Sequence, residues 1–252
     1  MIFSLMRSIK LNMDISPIAT IHSPYKQKFA IPRQPGLVKA ARGEVIFEDA
    51  FADPNCLREI SQFSHLWLIF YFHETAEESW SPLVQPPRLG GKEKVGVFAS
   101  RSTFRPNSLG MSVVENLGWI QEGKKLVLQV GSIDLIDKTP IIDIKPYIPY
   151  ADSVPDAQAG YACDAPGKVF NVEFAEKAKQ TLAMLRKTHF DLQELIEGVL
   201  QQDPRPAWRH KSPDEKLYGM SLYNLNVKWQ VEADYIQVVS ITEDQFPEKN
   251  QD

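Results

Sequence analysis

GVFASRSTFRPNSLGMSVVE occupies Gly96–Glu115. Its ends, VGVFA and MSVVE, are β-branched and aromatic and read as short buried strands. Between them stand Ser100, Arg101, Ser102, Thr103, Arg105, Asn107 and Ser108, with Pro106 and Gly110. Two readings fit so many donors between two strands. The hydroxyls satisfy the turns of a solvated hairpin loop, or the loop offers its donors to an anionic, hydroxyl-bearing ligand that approaches the backbone at Gly110.

Working outward, the first two thirds of the chain read as strands: Ile15–His22, Gly43–Glu48, His65–His73, Lys94–Ala99, Ser112–Trp119 and Lys125–Ile136. The turn signals PRQPG, ADPN, SPLVQPPRLGGKE and QEGKK separate them. HLWLIFYFH is apolar throughout and predicts a strand buried on both faces. Gly131, inside LVLQVGSIDLI, predicts a bulge. Many short strands with few helices between them indicate a barrel or sandwich rather than a Rossmann sheet. The Pro/Ala/Asp-rich connector KPYIPYADSVPDAQAGYACDAPG follows. Two helical stretches come next, EFAEKAKQTLAMLRKT and DLQELIEGVLQQ, the second with Leu192, Leu195, Ile196 and Leu200 at helical spacing and Asp191 as N-cap. YNLNVKWQVEADYIQVVSI closes the chain as a β-hairpin. The fold class is therefore mainly β, with a smaller α+β C-terminal domain. We divide the chain into a flexible extension at 1–14, a β domain at 15–155 and a C-terminal domain at 156–252.

The chain has 252 residues, 43% of them hydrophobic and 24% charged, and a formal charge of −4. Such a balance gives no global sign of a nucleic-acid binder, so a nucleic-acid partner requires local positive patches. No apolar run is long enough to span a membrane. Arg7 and Lys10 break the apolar N-terminal run, no small-residue cleavage site follows, and Met13 is a candidate start. Cys56 and Cys163 form no metal or redox motif, and a reduced cytoplasmic chain is expected.

Several polar groups suit a ligand. Arg88, Lys92, Lys94, Arg101 and Arg105 oppose a single acid, Glu93. FAIPRQPG presents Arg33 and Gln34 beside Pro32 on a stiff loop, which is equally a plain strand connection. His73 and Glu74 close an apolar strand, facing a cleft or solvent; one His with one Glu does not make a metal site. Asp134, Asp137 and Asp143 lie amid apolar residues, as ribose or ammonium acceptors, as a base, or as turn residues. DPRPAWR, Asp203–Arg209, joins cations to Trp208. It suits base stacking and phosphate contact, or docking between the two domains. No G-x-S-x-G, P-loop or metal-ligand pattern is present.

Taken together these segments resemble the TsaA-like family, whose characterised enzymes are the TrmO (YaeB) tRNA methyltransferases. GVFASRSTFRPNSLGMSVVE is similar to the family signature. SPYKQKFAIPRQPG, FSHLWLIFYFHET, PPRLGG, GSIDLIDKTPIIDIKPY and DPRPAWR follow the same order as in its long bacterial members. The resemblance implies a β-barrel-type N-terminal domain that binds S-adenosyl-L-methionine, a homodimer, and N6-methylation of threonylcarbamoyladenosine next to the anticodon of a threonine tRNA. It implies a cofactor pocket drawn from Pro32, Arg33, Gln34, His73, Glu74, Arg101, Leu109, Asp134, Leu135, Ile136 and Asp137. No metal is implied, and no catalytic base is assigned, although Glu74 and Asp137 are candidates. Arg88 and Arg105 on the barrel and Arg205, Trp208 and Arg209 on the second domain are the expected tRNA contacts. Ser108 departs from the signature, where proline is the usual residue. The competing reading is a barrel that senses S-adenosylmethionine or another nucleotide without transferring a methyl group.

Overall fold

The structure, a computed structural model, describes residues 14–90, 92–167, 169–205 and 216–244. Most of the extension at 1–14, together with Trp208 and Arg209, lies outside the described residues. The first part contains strands β1 (Ala19–His22), β2 (Arg42–Phe47), β3 (His65–Tyr71), β4 (Leu83–Val84), β5 (Val95–Gly96), β6 (Leu109–Glu122), β7 (Lys125–Gly131) and β8 (Thr139–Pro146). A short helix, α1 (Pro149–Asp152), follows β8. The second part holds β9 (Asn171–Phe174), helices α2 (Glu176–Leu185) and α3 (Leu192–Leu200), then β10 (Tyr218–Leu222), β11 (Leu225–Val231) and β12 (Tyr235–Glu243).

Six strands close into a barrel in the order β1-β2-β7-β6-β3-β8, and β8 returns to β1. Every pair is antiparallel. Period-two alternation fills the interior with Ile21, Val45, Leu66, Leu68, Val114, Leu128 and Ile141, all buried. Gly110 is required by this packing. A Cβ there would lie 2.8 Å from the Phe72 ring and closer still to Phe70.

The structure corrects several sequence expectations. β3 is not buried on both faces: Leu66, Leu68 and Phe70 point inward, while Tyr71 is exposed and Trp67 and Ile69 are half-buried. Lys94–Ala99 is not a continuous strand. It is the two-residue β5 followed by a turn, with Phe98 exposed. The bulge lies not at Gly131 but across the sheet at Asn116–Gly118, where Asn116 donates to the carbonyls of Ile60 and Phe63, 2.8 Å each. Asp191 sits at the N-terminus of α3 but makes no capping bond. Its carboxylate instead accepts from Arg42 Nε at 2.5 Å.

The second sheet runs β10-β11-β12-β9, antiparallel except for the parallel pair β12–β9. The β11–β12 hairpin is as expected. One hydrophobic core runs through both sheets. Buried Tyr25 bridges to Leu222, and the Tyr223 amide donates to Pro24 O at 2.8 Å. α3 approaches the barrel closely because Gly198 faces Val38; a Cβ would sit 2.8 Å from a Val38 methyl. The segment from Ser23 to Ala41 is thus the seam between the two parts.

Candidate functional site

Two loops meet at the seam end of the barrel. The β7–β8 loop turns through Ser132 and Lys138, both with left-handed φ, 57° and 64°. It is stitched to the segment after β1. Gly36 N donates to Ser132 O (2.9 Å), Ser23 Oγ to Leu135 O (2.8 Å), and Asp137 N to Tyr25 O (2.8 Å). These bonds satisfy loop backbone that has no ladder partner.

The stitching fixes what each acid on the loop does. The Asp137 carboxylate accepts from Ser23 N at 2.9 Å and from Lys26 Nζ at 2.5 Å. It is engaged in holding the loop, which removes it as a candidate base. Leu135 is buried, and Ile136 O accepts from Thr139 Oγ1 at 2.7 Å. Asp134 alone turns inward, to accept from Ser112 Oγ at 2.6 Å on the inner face of β6. Part of the residue stays exposed, but its carboxyl is deeply set. Burial raises that carboxyl from its ordinary 3.8 to about 6, against the opposing pull of Ser112, its own backbone N–H and the Arg101 charge. Above pH 6 it is a carboxylate beside a guanidinium.

Arg101 also donates to Gln34 Oε1, and Gln34 Nε2 donates to the Arg33 carbonyl at 2.5 Å. Gln34 with Arg101 and Asp134 with Ser112 are thus two hydrogen-bonded pairs, joined through the Arg101 charge that acts on the Asp134 carboxyl. The Arg33 side chain leaves them, facing Asp203 of the second part; partial burial lowers its pKa and Asp203 offsets this. Ser112 was not anticipated, although the alternation of MSVVE signals it, since a serine there shares the inward face with Val114.

The rim next to the cluster is formed by the turn after β3 and the signature loop. Phe72 N donates to Ser108 O at 2.8 Å, and Leu109 pairs with Tyr71. His73 Nε2 lies 3.5 Å from Glu74 Oε1, and Glu74 is mostly exposed. His73 Nδ1 and the hydroxyl of buried Thr75 have no hydrogen-bond partner among the described residues. Such orphaned groups fit a polar ligand at this rim.

Much of the signature loop serves itself. Ser100 Oγ donates to Val97 O (2.8 Å) and accepts from Ser102 N (3.3 Å). Ser102 Oγ accepts from Phe104 N (3.2 Å). Arg105 Nη1 donates to the carbonyls of Ser100 and Ser102. Arg88 donates to the carbonyl of Asp164 in the connector. Arg205 is corrected more sharply. It is 3% exposed and binds both carboxylate oxygens of Asp203, at 2.7 and 2.8 Å, with Phe170 over its guanidinium. A buried bidentate pair locks the DPR turn and leaves little of the guanidinium to solvent. Among the described residues no cluster of His, Cys, Asp and Glu is arranged to hold a metal. No described helix is long and apolar enough to cross a membrane.

Family models match both parts of the chain: the tRNA-methyltransferase O N-terminal domain over residues 20–153 and the TrmO C-terminal domain over 168–244. The chain belongs to the tRNA-methyltransferase O family. It is 48% identical over 220 residues to the "tRNA (adenine(37)-N6)-methyltransferase" of Escherichia coli K12, covering 87% of this chain and 94% of that one. It is 44% identical over 230 residues to a "putative S-adenosylmethionine-dependent methyltransferase RcsF" of Pseudomonas aeruginosa, covering 90% and 97%. A crystal structure of TrmO from P. aeruginosa superposes with a TM-score of 0.77 at 40% identity, over 92% of this chain and 99% of that one. The barrel with a smaller second sheet is thus the architecture shared with a solved tRNA-methyltransferase O structure.

Proposed function

We propose that this chain is an S-adenosylmethionine-dependent tRNA methyltransferase that methylates N6 of threonylcarbamoyladenosine next to the anticodon of a threonine tRNA, as a cytoplasmic homodimer. Family membership supports the reaction class. The observation that carries the assignment of the site is the Gln34–Arg101–Asp134–Ser112 cluster beside orphaned His73 Nδ1.

The donor set fits the cofactor's polar groups. Asp134, ionised at neutral pH and set in a low-dielectric recess, suits the ammonium or the ribose hydroxyls. Arg101 suits the carboxylate. Gln34 bonds Arg101, and the Phe72–Ser108 and Tyr71–Leu109 pairings bring the turn that carries His73 against the signature loop. When bound, S-adenosylmethionine supplies a methyl group on a sulfonium, which passes to the nitrogen while sulfur keeps the bonding pair and the nitrogen's proton leaves to solvent. The chain's own task is then to hold the acceptor nitrogen in line and keep water out, which supplies much of the acceleration through positioning. Of the two acids that the resemblance offers as a base, Asp137 is bound by Lys26, and Glu74 faces solvent beside His73.

The homodimer reading is supported by the outer face of β3 and β6. Ile69 pairs with Met111 and Tyr71 with Leu109. Met111 is 55% exposed, and exposed Tyr71 and Leu109 extend the apolar surface. A second copy seated there would also cover the rim at Leu109.

The test is isotope transfer. The protein is incubated with methyl-labelled S-adenosylmethionine and total tRNA from cells lacking it, and labelled nucleosides are identified by mass spectrometry. Label on N6 of threonylcarbamoyladenosine is expected. Cofactor binding with no label on intact modified tRNA refutes the reading in favour of a sensor.

A further inference from the structure

The Pro32–Gln34 loop also borders a cleft. The cleft, of about 270 Å³, lies between the Lys28–Arg33 segment and the Gln202–Arg205 turn of the second part. Lys28, Phe29, Pro32 and Arg33 line one side; Asp203 and Arg205 line the other. Among the described residues three cations and one carboxylate line it, and that carboxylate is bound by Arg205 through two hydrogen bonds. Lys28 and Arg33 make no ion pair among the described residues. Lys28 lies over the Phe104 ring of the signature loop, 5.6 Å from its centre. Phe29, 68% exposed, offers a flat apolar surface.

A concave site with surplus positive charge beside an exposed aromatic suits an anionic group carried on a planar ring. Its volume falls just under the roughly 300–1,000 Å³ of sites that enclose a drug-sized ligand. It suits a substituent of amino-acid size rather than a whole nucleoside cofactor. The partition matters as well. Arg33 enters the cleft while its neighbour Gln34 bonds Arg101 on the other side, so one short loop separates this cleft from the cluster around Asp134.

We infer that this cleft receives the carboxylate of the threonylcarbamoyl group on the substrate adenosine, with Lys28 and Arg33 as its cations and Phe29 as a stacking surface. The inference rests on the proposed reaction and adds to it the residues that select a modified over an unmodified base. Lys28 and Arg33 are substrate-specificity residues that do not touch the transferred methyl. Their contribution therefore falls on KM more than on kcat.

The experiment uses the full-length protein and two anticodon stem-loops. One carries threonylcarbamoyladenosine; the other carries its amide, in which the carboxylate is neutral. A charge-assisted contact of this kind is worth roughly tenfold to a hundredfold in affinity. The wild-type protein is expected to favour the acid over the amide by that factor, mainly in KM. Lys28→Ala and Arg33→Gln are each expected to shrink the preference toward unity. Cofactor affinity, read by calorimetry on Lys28→Ala, should stay within about twofold, and unfolding midpoints of both variants report folding separately. An undiminished preference for the acid in both variants overturns the cleft assignment and leaves the reaction standing. Equal losses on acid and amide, with a shallower salt dependence, place these cations on backbone phosphate and also overturn it. Absence of methylation of either stem-loop by the wild-type protein, with methylation of another tRNA position, overturns the reaction itself.

Discussion

Asp134→Asn separates stability from function in a way the site geometry makes quantitative. The carboxyl's rise from 3.8 to about 6 means that the folded protein holds its proton across a range where the unfolded chain releases it. The folded state binds more protons there, so stability falls as pH rises through this window and levels off above pH 6. At 1.36 kcal/mol per pH unit the full effect is up to about 3 kcal/mol. Asparagine has nearly the same shape, and its Oδ1 still accepts from Ser112 Oγ, but it does not titrate. The variant should match the wild type near pH 4 and exceed it by as much as about 3 kcal/mol near pH 7.5, where wild-type Asp134 is a desolvated charge. Urea unfolding of both proteins at several pH values measures this directly, because other titrating groups cancel in the difference. Cofactor affinity should fall in the same variant, since a neutral amide no longer balances an ammonium. A stability difference independent of pH, or a variant less stable than wild type at neutral pH, would show that Asp134 is not a desolvated acid and would remove the reason for placing the ammonium there.

Arg205→Ala should destabilise the protein by about 3–5 kcal/mol, because it removes the bidentate partner of the buried Asp203 carboxylate; a loss below about 1 kcal/mol in chemical unfolding would return Arg205 to the surface. Ser108 has φ 47°, a region that costs an L-residue about 1–2 kcal/mol and that proline cannot enter. Ser108→Gly should therefore raise the unfolding midpoint, and Ser108→Pro, which also loses the bond from Ser108 N to Arg105 O, should lower it; a proline variant as stable as wild type would contradict this loop conformation. Met111→Asp should yield monomers in sedimentation; an unchanged dimer would place the interface elsewhere.

What the sequence made legible follows the range of the interactions involved. The barrel strands β1, β2, β6 and β7 were readable because each carries its own β-branched run and a turn signal. The amphipathic α3 was readable from Leu192, Leu195, Ile196 and Leu200, which are buried as their spacing implies. β8 was hidden because Pro140 and Pro146 argue against a strand, yet Ile141 points inward and Asp143 and Lys145 pair on the outer side. β9 spans four residues and pairs in parallel with β12, far away in sequence, and nothing local announces such a partner. At the site, Gln34 bonds Arg101, and the Arg101 charge acts on Asp134. Asp137 does not join them, because its carboxylate is consumed by an amide and a lysine on a loop more than a hundred positions earlier.

The arginines show why counting cations overstates a binding surface. A loop built from Gly, Pro, Ser and Thr leaves carbonyls without ladder partners, and a guanidinium with five donors is the side chain best able to satisfy them. Arg105 binds the carbonyls of Ser100 and Ser102, Arg88 that of Asp164, and Arg42 holds Asp191 while lying against Phe190. An arginine-dense irregular segment is thus selected for its own folding as much as for any partner. The two roles separate by experiment: removing a stapling arginine lowers the unfolding midpoint first, whereas removing a ligand-facing cation lowers affinity at unchanged stability. By that criterion the cations that remain for RNA chemistry are those without an internal acceptor. On a chain of net charge −4, a count of cations over the basic segment therefore overstates the charge left for any partner.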